Sequence, residues 1–286
     1  MRAHAFRLLN VFAESTFGGN PLCVFEDARG LDDVTMQALA RQFNLSETTF
    51  LLPSDYAAAR VRIFTPDYEM PFAGHPTLGS AHVVRSLLGT GDAFVLEFVA
   101  GAVPVTASGD RWTLDAPAGG QPKTAACEVS TASVAGVFGL GAGDLADAPA
   151  WVDTGVRQLL VPLATPDAVL RARPDASRFQ DLPRSGVARR SAYLFAFDPA
   201  RPGKVVARYF FELQGSSLVE DPGTGSACAN LGGWLLSRDT PLPFTYEVEQ
   251  GDAVGRPCRL HLQVTPDRAI RVGGRVIEIA RGTVTL

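Results

Sequence analysis

Short runs in which apolar and polar residues alternate fill most of the chain, and they predict strands. In the first part these runs fall near 5–12, 21–26, 47–52, 59–64, 93–98, 101–107 and 111–115, with helical spacing near 34–43 and 76–88. A comparable succession follows: a helix near 130–138, strands near 149–153, 157–163, 192–197 and 204–211, and a helix near 225–237. Strands near 244–249, 257–265, 268–272 and 275–280 complete it. Between the two parts lies APAGGQPKT, 116–124, whose Pro and Gly mark a linker. The pattern predicts an α+β chain of two similar halves, 1–118 and 125–277, with the strand near 278–286 placed to return to the first.

A repeated motif supports the duplication. HPTLGSA begins at His75 and DPGTGSA at Asp221, an offset of 221 − 75 = 146. At that offset Pro76 meets Pro222, Gly79 meets Gly225, Ser80 meets Ser226 and Ala81 meets Ala227. A strand precedes each block and a helix follows it. The second helix, SACANLGGWLLS, has almost no polar stripe, and a helix apolar all round is usually buried. Gly232 and Gly233 inside it each cost roughly 1 kcal/mol relative to Ala, which close packing can justify. Each half is therefore expected to be a strongly bent sheet around one helix.

Composition narrows the function. Of 286 residues 46% are apolar and 20% charged, and the net charge is −4, so a polyanion partner is not expected. The densest basic run, RSGVARR at 184–190, is broken by Gly186 and reads as a solvated loop. Cys23, Cys127, Cys228 and Cys258 form neither a C-x-x-C pair nor a zinc pattern, and they suit a reducing compartment. GLGAG at 139–143 lacks the spacing of a dinucleotide loop, and there is no H-E-x-x-H. The N-terminus lacks a signal-peptide pattern and no apolar run has membrane-spanning length, so a cytoplasmic protein is expected.

The chemistry concentrates at the two glycine-rich helix starts. Free N–H groups at a helix N-terminus carry partial positive charge and receive anions such as carboxylates. Thr224 or Ser226 is placed to cap the second helix, and Gly74 to Gly79 form the corresponding entry to the first. If the halves face each other, His75 and Asp221 stand on opposite walls of a cleft. Read alone, Asp221 beside Pro222 is a turn former, His75 a structural histidine and Glu47 a solvated strand-start acid. Glu220 reads as a solvated neighbour, and His4, His82 and His261 as surface or core histidines.

Several segments together resemble the PhzF-like family, the phenazine-biosynthesis isomerase group. They are FAESTFGGNPLCVF (12–25), RQFNLSETTFLLP (41–53), FTPDYEMPFAGHPTLGSAHVV (64–84), TGVRQLLVPL (154–163), EDPGTGSACANLGGWLL (220–236), EQGDAVGRPCRLHL (249–262) and GGRVIEIARGTVTL (273–286). The family commonly has Ala where Gly223 stands, and 120–150 and 165–190 show little resemblance. The resemblance implies a diaminopimelate-epimerase-like fold of two pseudo-symmetric halves, each a barrel-like sheet around a central helix, a homodimer, and proton transfer without a metal or other cofactor. It implies Glu47 as the main acid/base, with His75, Asp221 and Ser226 beside it. It also implies that the backbone around Gly74, Gly223, Thr224, Gly225 and Ser226 receives the substrate.

These residue types suit that chemistry. Burial raises a carboxyl pKa towards working pH, and Glu47 neighbours Phe50 and Leu51. The paired thiols of amino-acid epimerases are missing, because Ala73 and Asp221 stand at the matching positions and Cys228 lies inside the helix. The expected function is an isomerase moving a proton within a small, cyclic or unsaturated carboxylate in the cleft between halves. Two alternatives remain: a non-catalytic carboxylate-binding protein on the same fold, and a hydrolase using Ser226, His75 and Asp221, although G-x-S-x-G is absent.

Overall fold

A computed structural model describes residues 2–117, 120–184, 190–212 and 217–286. Most of the basic run at 184–190 lies outside the described residues. The chain divides into two compact units: Met1–Asp115 with Gly273–Leu286, and Ala116–Val272. Among the described residues no helix is long and apolar enough to cross a membrane.

The first unit runs β1 (Ala3–Val11), β2 (Asn20–Phe25), α1 (Asp33–Phe43), β3 (Thr48–Leu52), β4 (Ala59–Phe64), β5 (Glu69–Met70), α2 (Gly74–Leu88), β6 (Ala93–Phe98), β7 (Gly101–Ser108) and β8 (Arg111–Asp115). The second runs β9 (Lys123–Ala126), α3 (Thr131–Val137), β10 (Ala150–Asp153), β11 (Arg157–Pro162), α4 (Pro166–Arg171), α5 (Ala176–Phe179), β12 (Ser191–Phe197), β13 (Lys204–Glu212), β14 (Leu218–Asp221), α6 (Gly225–Leu236), β15 (Phe244–Gln250) and β16 (Cys258–Val264). The strand β17 (Ile270–Thr285) begins in the second unit and passes into the first.

In the first unit β1–β2, β3–β4, β6–β7 and β7–β8 pair antiparallel, while β2–β3 and β4–β6 pair parallel. The strand β17 pairs with both β8 and β1, which closes the sheet into a barrel-like ring. The helix α2 packs against β1, β2, β3, β4 and β8. Gly79 permits this approach, since a Cβ there would stand 2.4 Å from the Leu22 side chain. The helix α1 fills the crossover from β2 to β3. Asp32 caps it by accepting the Thr35 N–H at 2.8 Å, and Asn44 in the left-handed region ends it. Its Met36, Leu39 and Ala40 join Phe25, Phe50 and Phe64 in one core, so the loop that follows delivers Glu47 at a fixed place.

The second unit repeats this plan. The pairs β10–β11, β12–β13 and β15–β16 are antiparallel, and β11–β12 and β13–β15 are parallel. A short strand again hangs on the sheet before the central helix: β14 on β13, as β5 on β4. Every residue of α6 except Ser226 is buried. The expected glycine packing is present. A Cβ on Gly232 would stand 3.0 Å from Ile270 and Leu262, and one on Gly233 2.8 Å from Pro122 and Thr154.

Three details differ from the sequence reading. The expected linker ends as strand β9, paired with β10. The two strands expected near 268–280 are one continuous β17. The repeat register also differs, because α2 opens at Gly74 and α6 at Gly225, an offset of 225 − 74 = 151 rather than 146. His75 and Ser226 are thus the second residues of their helices, and Asp221 ends the strand before. The identities at 146 arise because small residues do two jobs: Gly79 and Ser80 are packing residues inside α2, whereas Gly225 and Ser226 open α6.

The close fit around Gly233 gives a test. Gly233→Val adds bulk against Pro122 and Thr154, and overpacking of this kind costs typically 1–3 kcal/mol. The urea midpoint of the variant is expected to fall accordingly. A midpoint at or above the parent's value would show that α6 is not tightly enclosed.

Candidate active site

In the first unit the site forms where β3 and α2 begin. The helix α2 starts after Ala73, whose backbone is extended, and no side chain caps it. Its second residue, His75, is buried, and a ring N–H donates to the Pro21 carbonyl. The ring's Nε2 stands 3.5 Å from Glu47 Oε2, and the Glu47 side chain is 13% exposed. The acid is therefore enclosed rather than solvated. Burial lowers the His75 pKa to about 3, so the ring is neutral at ordinary pH and the contact is not an ion pair. With the proton committed to Pro21, the Nε2 lone pair faces the carboxyl. Ser80 donates to Thr49 Oγ1 at 3.0 Å and ties α2 to β3 two residues beyond Glu47.

In the second unit β14 ends at Asp221 and α6 opens four residues later. Thr224 occupies the cap position but makes no side-chain cap, and Ser226 does not make one either. The Thr224 hydroxyl is instead bonded to Asp221 Oδ2. Gln250 dictates this arrangement. Its Oε1 accepts the Thr224 N–H at 3.3 Å, and its Nε2 donates to the Asp221 carbonyl at 2.8 Å and to Thr224 Oγ1 at 3.1 Å. A backbone N–H can only donate and a carbonyl can only accept, so the amide has one orientation. Thr224 Oγ1 therefore receives a proton from Gln250 and gives its own to Asp221. Gly251 makes room for this fit with φ 84°, since a Cβ would lie 2.5 Å from the Pro222 carbonyl oxygen and 2.3 Å from that of Arg256.

Glu220 differs from the solvated neighbour expected. Arg208 grips its carboxylate through Nε at 2.9 Å and Nη2 at 2.6 Å, and both side chains are 8% exposed. A third Arg208 donor, Nη1, reaches the Ala172 carbonyl at 2.7 Å. This buried pair fixes β14 against β13 immediately before Asp221. Ser226 accepts a hydrogen bond from Gln158 Nε2 at 3.1 Å.

Local sequence reasoning missed Gln158, Arg208 and Gln250. For Gln158 and Arg208 the available signal was a polar or charged residue against a long apolar run, which burial obliges to find a partner, whereas Gln250 closes the strand FTYEVEQ, whose other polar residues hide it. His4 is buried and its Nδ1 lies 3.3 Å from the Asp27 carbonyl, whereas His82 and His261 are half-buried. Burial pushes the Cys228 thiol pKa far up, as it does for Cys23 and Cys258, so none is disposed to act as a thiolate. Among the described residues no group of three His, Cys, Asp or Glu side chains is placed to hold a metal ion.

The two helix starts, each with N–H groups lacking a side-chain cap and each beside a carboxyl group, are suited to an anionic substrate and proton transfer. Comparison with known proteins points the same way. Residues 9–282 match the phenazine biosynthesis-like protein family. An uncharacterized isomerase of Pasteurella multocida is 40% identical over 98% of this chain and 93% of its own length. The trans-2,3-dihydro-3-hydroxyanthranilate isomerase of Pseudomonas aeruginosa is 32% identical over 99% of this chain and all of its own. A solved structure described as a predicted epimerase, also from Pseudomonas aeruginosa, is 32% identical, with a TM-score of 0.81 and 99% of each chain covered. The fold is thus the diaminopimelate-epimerase-like one that the sequence resemblance implies.

The His75 burial predicts an acid-side effect. The unfolded chain binds a proton near the ordinary value of 6.5, whereas the native ring resists until about 3. Native stability therefore falls as pH drops through this window, by about 1.4 kcal/mol per pH unit from this group. His75→Gln removes that share. Between pH 7 and pH 4.5 the urea-derived stability of the variant is expected to fall by about 2–3 kcal/mol less than the parent's, on the same constant. Parallel pH profiles would contradict a buried neutral ring.

Proposed function

Because the chain belongs to the phenazine biosynthesis-like protein family and is an isomerase of the PhzF-like type, we propose that it moves a proton between carbons of a small carboxylate, with Glu47 as the carrier. The observation that carries this reading is Glu47 Oε2, 3.5 Å from the lone pair of a buried, neutral His75 at the start of α2. An ionised Glu47 takes a proton from a substrate C–H, and the electron pair delocalises into the unsaturated acid. The protonated Glu47 then returns the proton to a different carbon. His75 accepts from the carboxyl in its acid form and so holds it in one orientation. Protons and electrons balance within the substrate, so the reading requires no cofactor.

The negative charge that develops requires preorganised donors. The first-turn N–H groups of α2 at Gly74, and those of α6 at Gly225 and Ser226, have the right character for it, whereas the expected Thr224 N–H is taken up by Gln250. Asp221, gripped by Thr224, is the carboxylate that the second unit offers for acid/base work. A cyclic, unsaturated amino acid is favoured as substrate because the Pseudomonas aeruginosa relative is named for one. The reading includes a homodimer in the cytoplasm acting on a small molecule, with neither nucleic acid nor membrane as partner. Sedimentation tests the dimer.

The hydrolase alternative fits less well. A triad serine donates its proton to a base, whereas Ser226 is bonded to an amide N–H donor. The binding-protein alternative differs in outcome, since it predicts no solvent deuterium uptake into any bound acid.

Glu47→Gln separates these readings. Deuterium incorporation into a true substrate in D₂O is expected to fall roughly 100-fold or more, the scale of losing a general acid/base. Substrate affinity is expected to hold within about threefold, because other groups bind the anion. The melting temperature should hold or rise, since an enclosed ionisable group is costly. Near-parental exchange by the folded variant would defeat the proposed role.

A further inference from the structure

A fully buried amide chain in the second unit ends on Ser226. Thr154, Gln158 and Asn230 are 3%, 3% and 0% exposed. Asn230 Oδ1 accepts the Thr154 N–H at 2.9 Å and the Thr154 hydroxyl at 2.7 Å. Asn230 Nδ2 donates to the Val156 carbonyl at 2.8 Å and to Gln158 Oε1 at 2.7 Å. Gln158 Nε2 donates to Ser226 Oγ at 3.1 Å and to the Tyr209 hydroxyl at 3.2 Å.

The direction of each bond follows from its neighbour. A backbone N–H has only a proton to give, so the Asn230 atom facing Thr154 is the oxygen. The Val156 carbonyl has only lone pairs, so the atom facing it is the nitrogen. That nitrogen's other proton lies on Gln158, which must present its oxygen there. The Gln158 nitrogen is then turned to Ser226, and both its protons are spent. Flipping either amide would set donor against donor or acceptor against acceptor at buried contacts, each costly. Ser226 thus receives a proton along this line, and its own hydroxyl proton has no acceptor among the described residues.

We infer that Gln158 and Asn230 are positioning residues whose buried amide chain fixes the Ser226 hydroxyl as an outward hydrogen-bond donor, selecting an acceptor such as the substrate carboxylate at the start of α6. This rests on the carboxylate-isomerase reading above. It adds that the preference for an anion is wired from behind by residues that do not touch the substrate. Thr224 is the counterpart under Gln250: its proton points inward to Asp221, so its hydroxyl is not a donor to the substrate.

The test combines a thermodynamic cycle with direct location of the proton. The probe is 3-hydroxyanthranilate, the aromatic counterpart of the acid for which the Pseudomonas aeruginosa relative is named, titrated calorimetrically at fixed pH. Ser226→Ala is expected to weaken binding about 10-fold, as for one hydrogen bond to a charged group. Gln158→Met should weaken it comparably when Ser226 is present and less than about twofold in the Ser226→Ala background, as coupled partners do. Equal losses in both backgrounds would mark general loosening of the helix start and overturn the inference, leaving the isomerase reading intact. No loss from Gln158→Met would do the same. Asn230→Asp is a second variant: its carboxylate accepts from Gln158, turns that amide, and makes Ser226 the donor to it, again weakening the probe only when Ser226 is present. If the parent binds no probe and incorporates no deuterium into any carboxylate, the isomerase reading fails by itself. Neutron diffraction of the parent then decides the inference: a Ser226 deuteron directed away from Gln158 supports it, and one directed at Gln158 overturns it.

Discussion

A helix enclosed by a bent sheet must satisfy every side chain internally, so its first turn is where unpaired backbone N–H groups are left for chemistry. In both units the central helix is buried along most of its length, and its first turn lacks the side-chain cap that most helix starts recruit. Uncapped N–H groups are a cost unless something else takes them up. Here the residues suited to capping are diverted: Thr224 is bonded to Asp221, and Ser226 receives Gln158. The positive helix ends are left without side-chain caps, as the proposed binding of a substrate anion requires, and a network of strand residues takes over the rigidity that caps would have given.

That division of labour makes the polar residues behind the site as important as those within it. Arg208 and Glu220 form a pair whose desolvation is offset by charge-assisted bonds to each other and by the Ala172 carbonyl. Gln250 and Gln158 each bond two elements at once. Such side chains look out of place in apolar strands, yet each removes a freedom that a reacting group could otherwise exploit. In the first unit the same task falls to the Pro21 carbonyl, which holds the His75 ring, and to the Ser80–Thr49 bond.

Much of this was legible in the sequence, because the elements that matter are long and strongly patterned. The helices at 34–43, 76–88 and 225–237 and the strand at 59–64 match α1, α2, α6 and β4 closely. The two-residue β5, the short polar β14 and the brief helices α4 and α5 were not legible, since so few residues cannot establish a period. The repeat was detected in the wrong register, because Gly, Ser and Ala serve equally for tight helix packing and for helix starts. Glu220 was misjudged for a different reason. Its partner, Arg208, lies on the adjacent strand two residues from Phe210, which stands opposite Glu220, but 12 positions away along the chain, and local pattern does not show such diagonal cross-strand contacts.

The strand β17 has a bearing on the order in which the protein is made. Residues 273–286 leave the ribosome after the whole of the second unit, yet they belong to the unit whose other strands emerge before it. Until they arrive, β1 and β8 have open edges toward the missing strand, the kind of exposed edge that invites pairing with another chain. The second unit lacks this handicap, because its span is continuous and ends at Val272. Arg2 and Leu286 also lie together, with the Arg2 N–H donating to the Leu286 carbonyl. A gene rearranged to translate Gly273–Leu286 ahead of Ala3 would therefore encode the first unit as one uninterrupted segment, able to close its ring before the second is synthesised.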